Sequence, residues 1–319
     1  MANINSPMKL LIVKPSSLGD VIHALRVISV LRKNDRKLTI HWVIRSGLEG
    51  IVKASGLVDR HFVFHRGGGL RKYLALGKRL RAENYDCVLD MQGLLRSAVL
   101  GFMTGCPKRY GRADGREGST FFYQGIGPTD RKKAIHAIDR LLPLLEPLGK
   151  RPAGDRLSLS FPHSASISAN SAIKDGASPK VILFPESRRK EKEWPFFDQL
   201  SSSIQQAKLG AVMVCGTCRG KGYDGAIDLR GKLGLEQVAY LVKSADLIVS
   251  NDSAPLHLAS ALARPVLGLF GPTDPLLYGP YPVSEANSSI LRSPSGKIEE
   301  IDLDAAFSQV RKMLTVHPC

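Results

Sequence analysis

The stretch that most constrains the fold runs from Ala245 to Pro275, ADLIVSNDSAPLHLASALARPVLGLFGPTDP. Leu247 to Val249 reads as a short buried strand, Asn251-Asp252-Ser253 as a turn and cap, residues 254–263 as a helix, and Pro265 to Phe270 as the next strand. A strand, turn, helix and strand packed so closely is a unit of a parallel sheet. Asp252 or Ser253 is expected to cap the helix, and Pro255 suits a first turn whose N–H has no helical partner. Such a helix start presents amides and a positive dipole end beside hydroxyl and carboxylate side chains, which suits a phosphate. His257, one turn in, faces back towards that place. On this stretch in isolation, simple capping explains Asp252 and Ser253 equally well.

The same grammar opens the chain. Lys9 to Val13 is a short apolar strand, followed by the loop KPSSLGD and by VIHALRVISVLRK, whose Val21, Leu25, Ile28 and Leu31 recur at helical spacing. In a doubly wound sheet, ligands bind beyond the carboxyl ends of the strands. Gly19 allows close backbone approach there, and Asp20 stands at the helix start, where an ionised carboxylate is favoured. Asp20 is thus an ordinary cap or a general base. Strands at 39–44, 61–64 and 85–89, with helices over 48–54 and 70–83 between them, continue the parallel alternation. Asp90-Met-Gln92-Gly93 closes a further strand. The passage CPKRYGRADGREGSTFFYQGIGP then gathers Lys108, Arg109, Arg112 and Arg116 and reads as an irregular surface segment. Arginine forks suit phosphate and carboxylate groups. His136 and Arg140 follow at i, i+4 in HAIDRLLPLLEPLG, read as a helix.

At 319 residues the chain fits two α/β domains. Residues 151–180, rich in Pro, Ser, Ala and Gly, read as the connection, with a strand-like piece at 157–161. The boundary is expected near 160–178, giving domains 1–165 and 175–303. The second half opens with a strand at 181–184 and the loop PESRRKEKEWP, in which Ser187 can donate to a phosphate oxygen and Lys192 can reach it. Strands at 211–215 and 226–229 and a helix from Leu235 lead into the opening stretch. The chain reads as irregular from Pro275 to about Lys297, and a helix over 304–314 ends it.

The net charge of +16 is lopsided: residues 1–154 carry 27 Lys plus Arg against 12 Asp plus Glu, and residues 155–319 carry 18 against 17. An anionic partner met by the first half is implied. No apolar run reaches the ~18 residues of a membrane span, and no signal-peptide pattern opens the chain, so a cytoplasmic protein is expected. Five scattered cysteines point to reduced thiols, although Cys215 and Cys218 have redox or metal spacing. No metal-ligand cluster, P-loop or GxGxxG fingerprint is present, which weighs against a nicotinamide oxidoreductase.

Four segments, KPSSLGDVIHAL at 14–25, NYDCVLDMQGLLRSA at 84–98, KEWP at 192–195, and the run from DLRGK at 228–232 to FGPTDP at 270–275, resemble the lipopolysaccharide heptosyltransferases of glycosyltransferase family 9. They span nearly the whole chain, and the first two are most like heptosyltransferase I. The resemblance implies an α/β GT-B fold, two Rossmann-like domains facing each other across a cleft, with the last helix packing back on the first domain. It implies an inverting transfer of heptose from ADP-heptose to the Kdo of lipid A, with no metal or cofactor required. Asp20 matches the catalytic base and Lys192 the lysine that stabilises the leaving diphosphate. Ser187, Leu233, Asp252, Ser253, Ala254 and His257 fall at the donor site. Ser17, Gly19, Gln92, Arg112, Arg116, His136 and Arg140 fall at the acceptor site. The implied setting is a monomer at the inner face of the cytoplasmic membrane, with no nucleic-acid partner.

Three departures stand out. Ala254 occupies a position that is often Gly, Arg188 replaces a hydroxyl residue, and no Glu lies between Gly216 and Gly234, where only Asp224 is available for a ribose. The alternatives are heptosyltransferase II or another family member with a different ADP-sugar or acceptor, a catalytically dead binding module, and a nucleic-acid-binding protein whose basic half follows phosphates.

Overall fold

Apolar runs without alternation build both sheets. Leu10, Leu11, Ile12 and Val13 are all fully buried, as are Leu247, Ile248 and Val249, the pattern of parallel strands covered on both faces. In the computed structural model, residues 8–34, 37–127, 135–149, 179–217, 220, 222–282 and 287–316 are described. The chain divides into two units, Met1–Ser160 and Phe161–Cys319. The expected connection and the strand-like piece at 157–161 lie outside the described residues.

The first unit contains strands β1 (Lys9–Val13), β2 (Thr39–Arg45), β3 (Arg60–Phe64), β4 (Cys87–Asp90), β5 (Arg109–Arg112) and β6 (Gln124–Ile126), with helices α1 (Leu18–Asn34), α2 (Glu49–Ala54), α3 (Gly69–Arg81) and α4 (Leu95–Met103). The strand order is β3-β2-β1-β4-β5-β6, parallel throughout. Val13 and Asp90 are register partners, so the central strands β1 and β4 end side by side. Helices α3 and α4 cover one sheet face, where Leu76, Leu80 and Leu100 join Leu11, Val43 and Val88 in one core.

Strands β5 and β6 correct the expected irregular passage, and helix α4 precedes it. RYGR lacks the apolar run that marks a strand, because Gly111 lies under the Tyr123 ring; a Cβ there would sit 2.5 Å from Tyr123 Cζ. The expected helix around His136 is a single turn, Arg140 N to His136 O, followed by a 3-10 segment Leu142–Leu148. Pro143 and Pro147 withhold the amide donors that an α-helix there would use.

The second unit contains β7 (Lys180–Phe184), β8 (Ala211–Val214), β9 (Ile227–Asp228), β10 (Leu247–Asn251), β11 (Val266–Phe270) and β12 (Ser288–Arg292). Its helices are α5 (Phe197–Gln206), α6 (Leu235–Ser244), α7 (Ala254–Ala261), α8 (Pro275–Tyr278) and α9 (Leu303–Val316). The order β12-β11-β10-β7-β8-β9 again places the first and fourth strands of the unit together at the centre. Strand β12 and helix α8 lie in the part expected to be irregular; both are short. Helix α9, expected to pack back on the first domain, buries Ala306, Val310 and Met313 in the core of its own unit with Leu200 and Ile204 of α5. Its i, i+4, i+7 apolar positions are filled there.

Candidate functional site

In the first unit, polar groups gather beyond the ends of β1 and β4. Asp20 lies in the first turn of α1, next to Gly19, and its Oδ2 accepts from Ser17 N at 3.0 Å and from Ser17 Oγ at 2.6 Å. One oxygen is thereby fixed at a helix start. Lys14, at the end of β1, is 3% exposed. Burial pulls its ammonium below the usual lysine range, and Asp20 is the strongest of the carboxylates that oppose this.

Asp90 is also buried. Its Oδ1 accepts from Gln92 N at 2.9 Å and Gly93 N at 3.1 Å, and its Oδ2 from Ser97 Oγ at 2.8 Å. Desolvation nevertheless pushes its carboxyl up to about 6. Gly93 supplies the positive φ of 70° that this turn requires. Gln92 Oε1 faces Ser16 N at 3.4 Å, linking the loops after the two central strands.

The expected acceptor residues are not equivalent. Arg112 forks onto Asp114 with bonds of 2.8 and 2.6 Å, so its guanidinium is committed within the chain. Arg140 Nη1 lies 3.9 Å from the same carboxylate. His136 is buried and meets His23 of α1 edge-on, with 5.8 Å between ring centroids. Arg116 has an exposed side chain, and its N–H bonds Gly93 O at 2.8 Å, which ties the basic loop to the end of β4. Arg112, His136 and Arg140 are thus brought together with α1 through Asp114 and His23. Lys14, Asp90 and Asp114 were missed as site residues. The signal for Lys14 was its position, one residue past the apolar run Leu10 to Val13.

In the second unit the loop after β7 is strapped to β10. Asn251 donates Nδ2–H to Pro185 O at 2.8 Å and accepts from Trp194 N at 3.1 Å, while the Trp194 indole donates to Ile301 O at 2.9 Å. This sets Lys192, at the end of a 3-10 turn, against Asp252, with Nζ to Oδ2 at 2.5 Å. Thr273 Oγ1 donates to the same oxygen at 2.7 Å, and His257 Nε2 is 3.9 Å from Oδ1. Ser253 is the N-cap of α7 but makes no side-chain capping bond; its Oγ is 3.3 Å from Ser250 Oγ. The capping expectation is therefore right in position and wrong in bonding. Ala254 opens the helix.

Ser187 is buried and its N–H bonds Glu193 Oε1 at 2.8 Å. Leu233 is half-buried after β9, and Asp224 is exposed. Thr273, Asn251 and Glu193 were missed; they position the expected residues from elements distant in sequence. Cys215 is buried and its thiol is pushed up to about 12, while Cys218 lies outside the described residues. Among the described residues, no three His, Cys, Asp or Glu side chains are grouped as metal ligands, and no helix is long and apolar enough to cross a membrane.

Two like-ordered parallel sheets in one chain, each with charged residues at the ends of its central strands, are the two Rossmann-like domains of a GT-B fold, as expected from the sequence. Residues 73–303 match the model of glycosyltransferase family 9 (heptosyltransferase), and the chain belongs to that family of enzymes. It is 27% identical to lipopolysaccharide heptosyltransferase 1 of Salmonella typhimurium, over 95% of this chain and 100% of the relative. It is 23% identical to lipopolysaccharide heptosyltransferase 2 of Escherichia coli, over 84% of each protein's length. Among solved structures, Escherichia coli heptosyltransferase WaaC with ADP superposes with a TM-score of 0.77 at 24% identity, covering 96% of this chain and 100% of that one. The Escherichia coli ADP-heptose heptosyltransferase II gives 0.79 at 19% identity, covering 98% and 100%.

Proposed function

We propose that the protein transfers L-glycero-D-manno-heptose from ADP-heptose to the Kdo of lipid A, in lipopolysaccharide inner-core synthesis. The observation that carries this reading is a matched pair of held charges: the Asp20 carboxylate at the first unit's central strand ends, and the Lys192 ammonium at the second's. Asp20 takes the proton of the acceptor hydroxyl as its oxygen attacks the anomeric carbon. The bond from that carbon to the diphosphate breaks in the same displacement, so configuration inverts and ADP leaves. A positioned base contributes typically about 10²–10⁴ in rate. Lys192 and the start of α7 receive the charge that develops on the diphosphate, where one preorganised partner contributes roughly 3–4 kcal/mol. Asp252 holds Lys192 in place, and Ser187, Leu233, Ser253, Ala254 and His257 complete the donor site. Ser17, Gly19, Gln92, Arg116, and the Arg112, His136 and Arg140 group form the acceptor side. The enzyme acts as a monomer at the cytoplasmic face of the membrane.

The relatives named heptosyltransferase 1 from Salmonella typhimurium and Pseudomonas aeruginosa, each 27% identical, favour the first-heptose reaction. A second reading, addition of a later heptose, is favoured by the 23% identity to heptosyltransferase 3 of Escherichia coli over 94% of this chain. The two are separated by offering ADP-heptose with either heptose-free Kdo-lipid A or the same acceptor already bearing one heptose. A mass gain of one heptose on the first acceptor alone is expected. A gain only on the second acceptor moves the reading to the later step.

A further inference from the structure

The first unit carries, beside its strand-end residues, a face that no step of the transfer uses. Helix α3 bears Arg71, Lys72, Lys78, Arg79 and Arg81 and no acidic residue, and all five are exposed. Its buried side is Leu76, Gly77 and Leu80. On the other side, Leu70 is 71% exposed and Leu74 44%, interleaved with the basic residues. Helix α4 lies alongside: Tyr73 Oη donates to Arg96 O at 2.7 Å, and Arg81 approaches Gly105 just past the end of α4. The outward side of α4 exposes Phe102, whose ring meets Phe122 edge-on at 5.7 Å. Phe121, in the 3-10 turn Ser119–Phe122, is 90% exposed. Phe121 and Phe122 line, with Lys108 and Arg109, an open pocket of about 270 Å³.

Exposed leucine and phenylalanine side chains set among arginines and lysines match a bilayer interface, where apolar tips enter the acyl boundary and cations meet lipid phosphates. Solvent alone gives no reason to expose both together. We propose that the face formed by α3, α4 and the Ser119–Phe122 turn docks on an anionic lipid bilayer. The proposal deepens the reading of a lipid-linked acceptor and rests on it for its purpose. Leu95 and Arg96 are the face's exposed members closest in sequence to Gln92 and Gly93, and Leu95 N bonds Glu117 Oε2 at 3.3 Å beside the end of β4. Docking there presents a membrane-embedded acceptor to the strand ends that hold Asp20.

The test is co-sedimentation with vesicles of phosphatidylcholine alone or with a third phosphatidylglycerol. Wild type is compared with Arg71→Glu/Lys78→Glu, with Leu70→Ser/Leu74→Ser/Phe121→Ser, and with a control of equal charge change on α9, Arg311→Glu/Lys312→Glu. Binding of wild type to the anionic vesicles alone is expected, falling at least tenfold in the first two variants and less than threefold in the control. Equal losses in the control would make net charge the cause and overturn the assignment, as would wild-type levels in the first two. A salt-independent dimer of the wild type, lost in the leucine and phenylalanine variant, would assign the face to self-association instead. Transfer to a deacylated, water-soluble acceptor should stay within twofold of wild type in all variants. Absence of that transfer even in wild type would count against the acceptor reading, while the vesicle result would still decide the docking face.

Discussion

The two units answer the same topological problem with opposite charges. Each sheet brings its first and fourth strands together at the centre, and ligands of such sheets bind where the strand order reverses. In the first unit the residue held there is a carboxylate, Asp20, with a buried ammonium, Lys14, behind it. In the second it is an ammonium, Lys192, with a buried carboxylate, Asp252, behind it. A carboxylate can remove a proton, whereas an ammonium can receive a departing diphosphate. The charge follows the same division: the basic excess lies almost wholly in residues 1–154, the unit to which the proposed function assigns an anionic acceptor. In the proposed transfer, one backbone plan serves base and leaving group through what the loops after two strands carry.

The sharpest way to break this comparison is to remove the two held charges in turn. Asp20→Ala is expected to lower turnover by about 10²–10⁴ while the ADP dissociation constant, measured by calorimetry, stays within a factor of about 3. A loss of ADP affinity instead would place the donor, not the acceptor, at the first unit. Lys192→Met should reduce turnover by about 10²–10³ and weaken ADP as well, because its charge acts on the diphosphate in both ground and transition states. Intact ADP binding in that variant would remove Lys192 from the donor site.

The first unit holds a buried carboxyl with a raised proton affinity, and its consequence is a stability that depends on pH. Burial moves Asp90 from an ordinary 3.8 to about 6. The folded chain therefore holds this proton more tightly than the unfolded chain. The penalty for the ionised form is fully present above about pH 6 and is withdrawn as pH falls towards 4. A shift of that size corresponds to about 3 kcal/mol. Asp90→Asn keeps an acceptor for Gln92 and Gly93 and lacks the titration. Its stability relative to wild type, followed by urea unfolding, should drop by roughly 2 kcal/mol between pH 7.5 and pH 4.5. A difference that is flat with pH would show that Asp90 is not ionised in a desolvated site.

How far sequence alone reaches also differs between the two regions. The central strands were legible in both, because Leu10 to Val13 and Leu247 to Val249 are uninterrupted apolar runs and their loops carry charged or hydroxyl residues in short motifs. Strands β5, β6 and β12 were not, although the edge strands β3 and β9 were. Strands β5 and β12 carry no apolar alternation, and Gly111 stands in β5 only because Tyr123 covers it from 12 residues away. The candidate residues themselves were mostly legible, since Asp20, Lys192 and Asp252 sit in their motifs. Their holders were less so: Thr273 reaches Asp252 from 21 residues on, and Asn251 ties down a loop 66 residues before it. Helix α9 shows the same limit, because amphipathic spacing reveals that a face is buried and says nothing of the element that buries it.

The smallest expected effect concerns the side chains that hold each charge, and it distinguishes positioning from chemistry. Ser17 Oγ donates to Asp20 Oδ2 at 2.6 Å, and the Ser17 amide donates to the same oxygen at 3.0 Å. Ser17→Ala removes the shorter bond and keeps the backbone one. A hydrogen bond to a charged group contributes about 1.5–3 kcal/mol, and the surviving amide retains part of it, so a loss of roughly tenfold in turnover is expected. Thr273→Val is the matching change in the second unit, since Thr273 Oγ1 donates to the Asp252 oxygen that holds Lys192. Its effect should fall on ADP affinity, by about threefold to tenfold, because it loosens a partner of the ammonium and leaves the ammonium in place. Steady-state kinetics and ADP titration on both variants give two numbers each, and the division requires them to be crossed: turnover for Ser17, affinity for Thr273. If both variants lowered turnover and left ADP binding untouched, the hydroxyl on Asp252 would belong to the chemical step, and the second unit would do more than hold the leaving group.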